Sequence, residues 1–326
     1  MTERRPQLDI RPFAPEFADD AARLLADRHR TQRLVEPALD TRFEDVEAAR
    51  AQIEALAAQD GADGAVALRG GSVAGYLIAA PRGGIWGPNM WIEGAGHAVT
   101  DPDLVRDLYG SLAGGWVEAG AIRHSVVVPA SEPATVDAWF RSGFGLQHVH
   151  GIREPAAAGD TDKVPDGMIV RRAERHDIVT LGRLEVALAE HQVASPVFSM
   201  VPLPSIDEAV AEYEEDFDDP KFTTFVAEID GRAVGSAVGC AIELSSIHRS
   251  VALPAGAGFL GFAAVLPEHR GLGAGRLLGE AVLHWAYESG YPAVATDWRM
   301  TNLLSSRTWP RLGFRPTFYR LFRAIA

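Results

Sequence analysis

The second half of the chain alternates apolar runs of strand length with segments in which apolar residues recur every three or four positions. The apolar run 257–266, for example, is followed by Leu278, Val282 and Trp285 at helical spacing. Strands are predicted near 168–172, 222–230, 233–244, 257–266, 293–298 and 317–324. Helices are predicted near 175–190, 205–216, 273–289 and 302–311. This mixture predicts an α/β or α+β fold with a mixed, mostly antiparallel sheet flanked by helices.

The first half of the chain repeats this order of elements, and four stretches of the two halves correspond in sequence. The stretch 66–75 matches 226–235 without a gap, and both read as strand, tight turn and strand. The other pairs are 10–12 with 170–172, 116–120 with 285–290, and 139–144 with 309–314. Four correspondences in one order indicate a duplicated domain.

The duplication sets the predicted domain boundaries. We expect one domain at 1–155 and a second at 168–326. The stretch between them, 156–167, has no apolar periodicity and contains proline and glycine, so it is predicted to be a short exposed linker.

The most informative stretch follows the predicted strand 257–266 and places an arginine and three alternating glycines before a helix. Its residues are Arg270, Gly271, Leu272, Gly273, Ala274, Gly275 and Arg276. Glycines in this arrangement leave several backbone N–H groups pointing into one concavity at a helix N-terminus, where the helix dipole also favours an anion. The two arginines would add fixed positive charge beside it. The pattern therefore predicts a pyrophosphate site.

Three other interpretations of this loop fit less well. A dinucleotide-binding turn needs glycine where Arg276 stands, and it needs several further strands, for which too few residues remain. A P-loop needs lysine and a hydroxyl residue after Gly275, and the sequence has neither. A turn without a ligand would place three glycines at a helix start, which they weaken unless close backbone approach is required.

These residues resemble the GNAT acyltransferase superfamily. The family's most recognisable motif, Arg/Gln-x-x-Gly-x-Gly/Ala after a strand, is matched by residues 270–275. Its second signature is an asparagine followed by a helix that ends with an aromatic residue and then Gly-Phe. Asn302, Trp309 and 313–314 match it, although Trp309 stands where the family usually has tyrosine.

The resemblance covers nearly all of 168–326 and, more weakly, 8–153, and it implies two tandem GNAT-like domains with acetyl-CoA as co-substrate. It also implies that the strand 260–266 splays from the strand 293–298 and offers backbone groups to the pantetheine arm. The implied CoA contacts are Ala263, Ala264 and Val265 for pantetheine, Arg270, Gly271, Leu272, Gly273, Ala274, Gly275 and Arg276 for pyrophosphate, and Asn302 and Ser305 on the far side.

The N-terminal copy departs from this pattern. Residues 97–106 stand where the loop should be, and they contain no glycine cluster. Asp101 and Asp103 would repel phosphates. We therefore expect this copy to bind no CoA and to have a packing or substrate-shaping role.

The groups that would move protons are less evident than the CoA contacts. Acyl transfer to an amine requires loss of an amine proton, polarisation of the thioester carbonyl and departure of a thiolate. The strand 257–266 contains no carboxylate, so the candidate bases are Asp297 and Glu243, and Tyr319 is a candidate acid. Each has a structural role as its alternative, and His191 reads as a packing or capping residue. We expect direct attack by the amine.

Charge and composition limit the classes of partner that the protein is expected to bind. A formal net charge of −13 argues against nucleic-acid and anionic-membrane binding and is compatible with a cationic substrate. No long apolar run or signal core is present, so we expect a cytoplasmic protein. Cys240 is the only cysteine and reads as a buried core thiol, and the histidines show no metal spacing, so no metal is expected.

Three functions remain open. The leading interpretation is an acyl-CoA-dependent N-acyltransferase, most simply acetyl, that acts on the amine of a small molecule. The second is acetylation of a protein lysine or N-terminus, or of a thiol-precursor amine. The third is a non-catalytic CoA-binding sensor on the same fold, which the missing tyrosine would favour. The sequence makes no prediction of oligomeric state.

Overall fold

The computed structural model of the protein describes residues 8–157, 167–199 and 201–325. The chain divides into two compact units. The first comprises the chain up to Val149, the segment His248–Ala255 and the residues from Thr317 onwards, and the second comprises His150–Ile247 and Gly256–Pro316. The predicted linker 156–167 lies mostly outside the described residues, and the domain boundaries at 155 and 168 stay a prediction from the repeat.

The first unit contains the elements of the N-terminal copy and one strand from the end of the chain. Its strands are β1 (Leu8–Pro12), β2 (Asp63–Arg69), β3 (Ser72–Ala79), β4 (Asn89–Ile92), β5 (His97–Val99), β6 (Arg123–Pro129), the first part of β7 (Gly145–Arg153) and most of β13 (Arg315–Ala324). Its helices are α1 (Ala18–Val35), α2 (Val46–Ala57), α3 (Leu104–Glu118) and α4 (Pro133–Arg141). One sheet has the order β1-β2-β3-β5, and β6 lies between β4 and β13.

The second unit repeats this order of elements. Its strands are β8 (Met168–Arg172), β9 (Thr223–Ile229), β10 (Arg232–Ala241), β11 (Gly258–Val265) and β12 (Val294–Arg299), and its helices are α5 (Ile178–Val193), α6 (Ile206–Asp216), α7 (Ala274–Glu288) and α8 (Ser305–Arg311). The strand order is β12-β11-β10-β9-β8, with the end of β7 beside β12. The pairs β8·β9, β9·β10 and β10·β11 are antiparallel, and β11·β12 is parallel.

The predicted fold class and the predicted elements of the C-terminal copy are confirmed, with several ends shifted by up to three residues. The helix predicted at 175–190, for example, is found at Ile178–Val193. The strand predicted at 233–244 ends at Ala241, because the chain turns there into the short 3-10 helix Ile242–Leu244. The helix predicted at 302–311 begins at Ser305, because the Asn302 side chain accepts the backbone N–H groups that open it.

The C-terminal strand shows what the repeat alone does not reveal. In sequence β13 ends the second copy, yet from Thr317 onwards it belongs to the first unit. It pairs antiparallel with β6, with Leu321 opposite Val126, and it buries Phe318 and Leu321 completely. Burial of two large apolar side chains contributes roughly 1.5–3 kcal/mol each. The strand is therefore part of the core of the first unit.

Candidate active site

The second unit contains a cavity of about 450 Å³ between the end of β11, the loop after it, the start of α7 and the helix α8. Leu188 and His191 of α5 complete its wall. It is lined by Leu188, His191, Ala263, Ala264, Val265, His269, Arg270, Gly271, Gly273, Ala274, Gly275, Arg276, Asn302, Leu303, Leu304, Ser305, Arg307, Thr308, Trp309, Arg311 and Leu312. Of the predicted CoA contacts, Leu272 alone is absent from this lining, and its side chain is half exposed.

The strand β11 offers unpaired backbone groups to this cavity. It pairs in parallel with β12 only from Gly258 to Leu260, and within the described residues the pairing does not continue towards Val265. On its other edge β11 is bonded to β10 along its length, with an irregularity at Gly261, which has no partner in the register. The strands therefore splay, and one edge of 261–265 has no strand partner within the described residues.

The glycine loop forms a concavity of backbone N–H groups. Gly271 and Gly273 have φ angles of 82° and 94°, in the left-handed region that glycine adopts without strain. Within the described residues, the N–H groups of Gly271, Leu272 and Gly273 donate to no protein acceptor. Gly273 caps α7, and the first N–H groups of a helix have no partner inside it. The arrangement suits a phosphate group.

Arginines surround the loop, and two of them were missed by the sequence analysis. Arg270 donates through Nε to the Val265 carbonyl at 3.1 Å, which holds its guanidinium at the end of β11. Arg276 is paired with Glu280 at 2.6 Å. Arg307 and Arg311 also line the cavity, and within the described residues neither forms an ion pair. Their spacing of four on the helix after Asn302 was the available signal, because it places both on one face.

Asn302 lies just before α8, and its side-chain oxygen is close to three nitrogen atoms that can donate hydrogen bonds. Its Oδ1 accepts the N–H of Leu304 at 3.1 Å and that of Ser305 at 3.4 Å, and it lies 3.1 Å from Nε2 of His191. His191 comes from α5, 111 positions away in sequence. A residue that sequence reasoning treated as a packing histidine is thus part of the cavity wall.

Trp309 is buried in the same wall where the family resemblance expects tyrosine. Its indole packs against α7 at Gly279, where an added Cβ would lie 3.1 Å from Trp309 and 2.6 Å from Leu312. The indole has no ionisable proton at ordinary pH, so this position supplies shape and apolar surface rather than an acid.

The three candidate catalytic residues lie away from the cavity lining. Asp297 is half-buried on β12 and interacts with Arg299. Burial lowers the pKa of Arg299, and the carboxylate of Asp297 offsets part of this shift. Glu243 is exposed in the turn after β10. Tyr319 lies opposite Val128 on β6 and packs against the core of the first unit. Within the described residues, the titratable groups of the lining are His191, His269 and four arginines.

The corresponding strands of the first unit also diverge, and protein side chains fill the gap. β4 pairs with β6, whereas β5 pairs with β3. Arg28 of α1 donates to the carbonyls of Gly94 and His97. His97 lies 3.0 Å from the Val127 carbonyl through Nε2, and burial lowers its pKa to about 3, so the ring is neutral. Arg28 and His97 thus occupy backbone carbonyls between the diverging strands.

The divergent parallel strands, the loop of N–H groups and the cavity define a protein of the CoA-dependent acyltransferase class. Residues 190–314 match the model of the acetyltransferase (GNAT) family. The chain thus contains a GNAT acetyltransferase domain at 190–314, and the predicted family is confirmed.

The solved structures to which the chain is similar are distant from it in sequence. A GCN5-related N-acetyltransferase from Sphaerobacter thermophilus is 16% identical, covers 97% of this chain and 95% of its own, and has a TM-score of 0.57. A tandem GNAT protein from the clavulanic acid biosynthesis pathway is 18% identical, with 98% of both chains covered and a TM-score of 0.48. An aminoglycoside N-acetyltransferase in complex with CoA is 24% identical over 47% of this chain and 93% of its own, with a TM-score of 0.37. No curated protein matches the sequence significantly.

Two further features of the described residues bear on the expected partners. None of the described helices has the length and apolar character needed to cross a membrane. No cluster of three or more histidine, cysteine or acidic side chains suited to a metal ion occurs among these residues.

Proposed function

We propose that the second unit transfers the acetyl group of acetyl-CoA to the amine of a small molecule by direct attack. The observation that carries the proposal is the single cavity onto which both the free edge of β11 and the glycine loop open. A CoA molecule needs both, because its pyrophosphate is anionic and its pantetheine arm carries amide groups that hydrogen-bond like a strand.

The chemistry assigned to the protein is positioning and polarisation. The amine nitrogen attacks the thioester carbonyl, the C–N bond forms, the C–S bond breaks and the CoA thiolate leaves. A backbone N–H on the free edge of 261–265 would hold the carbonyl oxygen as negative charge develops on it. The arginines of the lining would fix the phosphates, so that binding energy far from the thioester orients it for attack.

A cationic amine is the acceptor class that the charge distribution favours. The net charge of the chain is −13, and α6 carries acidic side chains along most of its length. A negative field attracts cationic solutes and raises their rate of encounter. The acetylation of a protein amine stays the alternative within the same chemistry.

Calorimetric titration with acetyl-CoA tests the site. Gly271→Glu places a carboxylate in the loop, where a Cβ meets no atom within 4 Å and φ is 82°. Gly290→Glu is its matched control, since it has φ of 74°, equally open space and a position at the other end of α7. We expect Gly271→Glu to abolish saturable binding and Gly290→Glu to retain it. Equal binding by both variants would show that the loop is not the phosphate site.

A CoA-binding sensor is the second candidate, and one specific observation favours it. Trp309 takes the place of the family's usual acid, and the cavity lining holds no carboxylate within the described residues. Release of free CoA thiol in a panel of polyamines, aminoglycosides, amino acids and peptide amines separates the two functions. Turnover of any amine supports the enzyme, whereas tight binding of acetyl-CoA without turnover supports the sensor.

A further inference from the structure

His191 holds a defined place in the cavity wall. It lies in the last turn of α5, it is half-buried, and Leu188 one turn earlier lines the same cavity. The segments that it joins are distant in sequence, so the contact with Asn302 is made only by the folded unit.

The hydrogen bonds of Asn302 determine which nitrogen of His191 carries the proton. A carboxamide oxygen accepts hydrogen bonds, whereas its NH₂ group donates them. The backbone N–H groups of Leu304 and Ser305 reach the same side-chain atom of Asn302, so that atom is the oxygen. Nε2 of His191 lies 3.1 Å from this oxygen and must therefore be protonated. In the neutral ring Nδ1 then keeps its lone pair.

Nδ1 of His191 is available for chemistry. Within the described residues no donor is bonded to it, and it is not among the buried ring nitrogens that are shut off from solvent. The lining holds one other histidine, His269, which precedes Arg270 at the phosphate end of the cavity. His191 is thus the proton acceptor that lies beside Asn302 rather than beside the phosphate loop.

From this geometry we infer that His191 is the general base of the acetyl transfer, an assignment that rests on the proposed function. Nδ1 takes the proton that the amine loses as its nitrogen forms the C–N bond with the thioester carbonyl. The C–S bond breaks, and the thiolate of CoA takes this proton from the imidazolium. The neutral ring is thereby restored, and Asn302 keeps it oriented throughout through Nε2.

The charged side chains of α5 besides His191 are Arg183, Glu185 and Glu190, and the helix α6 that packs against α5 carries six acidic side chains. These six are Asp207, Glu208, Glu212, Glu214, Glu215 and Asp216. On α5 itself Glu190 adjoins His191, and Glu185 accepts from Tyr213 of α6 at 3.4 Å. β11 carries no titratable side chain, and β10 carries Arg232 at its start and Cys240 near its end. The 3-10 helix Arg175–Asp177 packs at the opposite end of α5. The remaining charges that face the cavity are the four lining arginines and His269.

The test compares His191→Gln with His176→Gln at matched pH, because the His176 side chain is 67% exposed and lies outside the cavity lining. Glutamine at 191 keeps a donor for Asn302 but has no basic nitrogen, so a purely structural role of His191 is rescued by it. We expect His191→Gln to lower kcat about 100-fold to 10,000-fold near pH 7 for the best amine of the panel, with the Kd for acetyl-CoA within about twofold of wild type. His176→Gln should leave kcat within about threefold of wild type.

The pH profile separates base catalysis from positioning. The wild type should lose kcat/KM on acidification, because a base that already carries a proton cannot accept another. In His191→Gln the part of this loss that is due to the base should vanish, and the deficit in kcat relative to wild type should shrink at high pH, where the amine is already unprotonated. A tautomer measurement by ¹⁵N NMR should show Nε2 protonated and Nδ1 unprotonated in the neutral ring of His191.

Three outcomes would overturn the inference. An unchanged pH profile with near-normal kcat in His191→Gln removes His191 from catalysis while acetyl transfer itself stands. A protonated Nδ1 in the neutral ring contradicts the deduced tautomer. Binding of acetyl-CoA with no turnover of any amine by the wild type overturns the proposed function, and the assignment of the base falls with it.

Discussion

Arg28 should be one of the most important side chains for the stability of the first unit. Its side chain is 9% exposed, and it donates to the carbonyls of Gly94 and His97 between the diverging strands. A hydrogen bond to a charged group contributes about 1.5–3 kcal/mol, and a buried acceptor left unsatisfied costs about 1–3 kcal/mol. Because the two bonds share one guanidinium, we expect Arg28→Met to destabilise this unit by about 2–4 kcal/mol rather than by their sum.

Hydrogen exchange followed by mass spectrometry, with urea unfolding in parallel, measures this effect locally. Exchange should accelerate in peptides that cover 93–99. The control is Arg23→Met on the same helix, because Arg23 is 61% exposed and its ion pair is with the exposed Asp20, so its removal should cost less than about 0.5 kcal/mol. Acetyl-CoA affinity should be unchanged, since the cavity residues belong to the second unit. A change below about 0.5 kcal/mol in Arg28→Met would refute the view that Arg28 holds this gap closed.

The remaining predictions concern the pH dependence of stability, two arginines of the cavity lining and the packing of the core. The pKa of buried His97 is about 3, below that of an unfolded histidine near 6.5, so between these values the unfolded chain binds the extra proton. This residue should therefore lower the free energy of unfolding by up to about 1.4 kcal/mol for each pH unit of acidification. In His97→Gln, the free energy of unfolding measured with urea should depend on pH less steeply by that amount. The double variant Arg307→Gln and Arg311→Gln should weaken acetyl-CoA about tenfold at low salt and less at high salt, as calorimetry would show, whereas equal losses at both salts would contradict a charge effect. Gly239→Ala places a Cβ 2.7 Å from the Trp285 ring, and thermal unfolding should report a loss of about 1–3 kcal/mol; an unchanged Tm would contradict this reasoning.

Local sequence pattern was sufficient to predict the helices and strands of the C-terminal copy and its glycine loop. Apolar periodicity and turn residues act over a few positions, so the strands and helices of the C-terminal copy could be predicted to within a few residues. The loop was equally readable, because Gly271 and Gly273 adopt φ angles that few other residues tolerate, whatever surrounds them. The absence of Leu272 from the cavity lining could not be predicted from the sequence, since the direction of one side chain depends on how the turn folds.

The candidate catalytic residues show the limit of what the sequence pattern can predict. Asp297, Glu243 and Tyr319 were chosen by residue type and by their predicted strands, and the structure brings none of them into the cavity lining. Their distance from it follows from which way each strand faces and where it pairs. His191 was passed over because a histidine beside apolar residues has no distinguishing local pattern.

The sequence by itself determined that the chain is a duplicated α/β protein with a glycine loop before one helix, because duplication, periodicity and positive-φ turns are properties of neighbouring residues. Only the tertiary structure decided that β13 joins the first unit, that Arg28 fills the gap between its strands, and that His191 meets Asn302. The physical reason is that every strand edge and every polar side chain offers the same few hydrogen-bonding groups. Long-range packing selects which of them become partners.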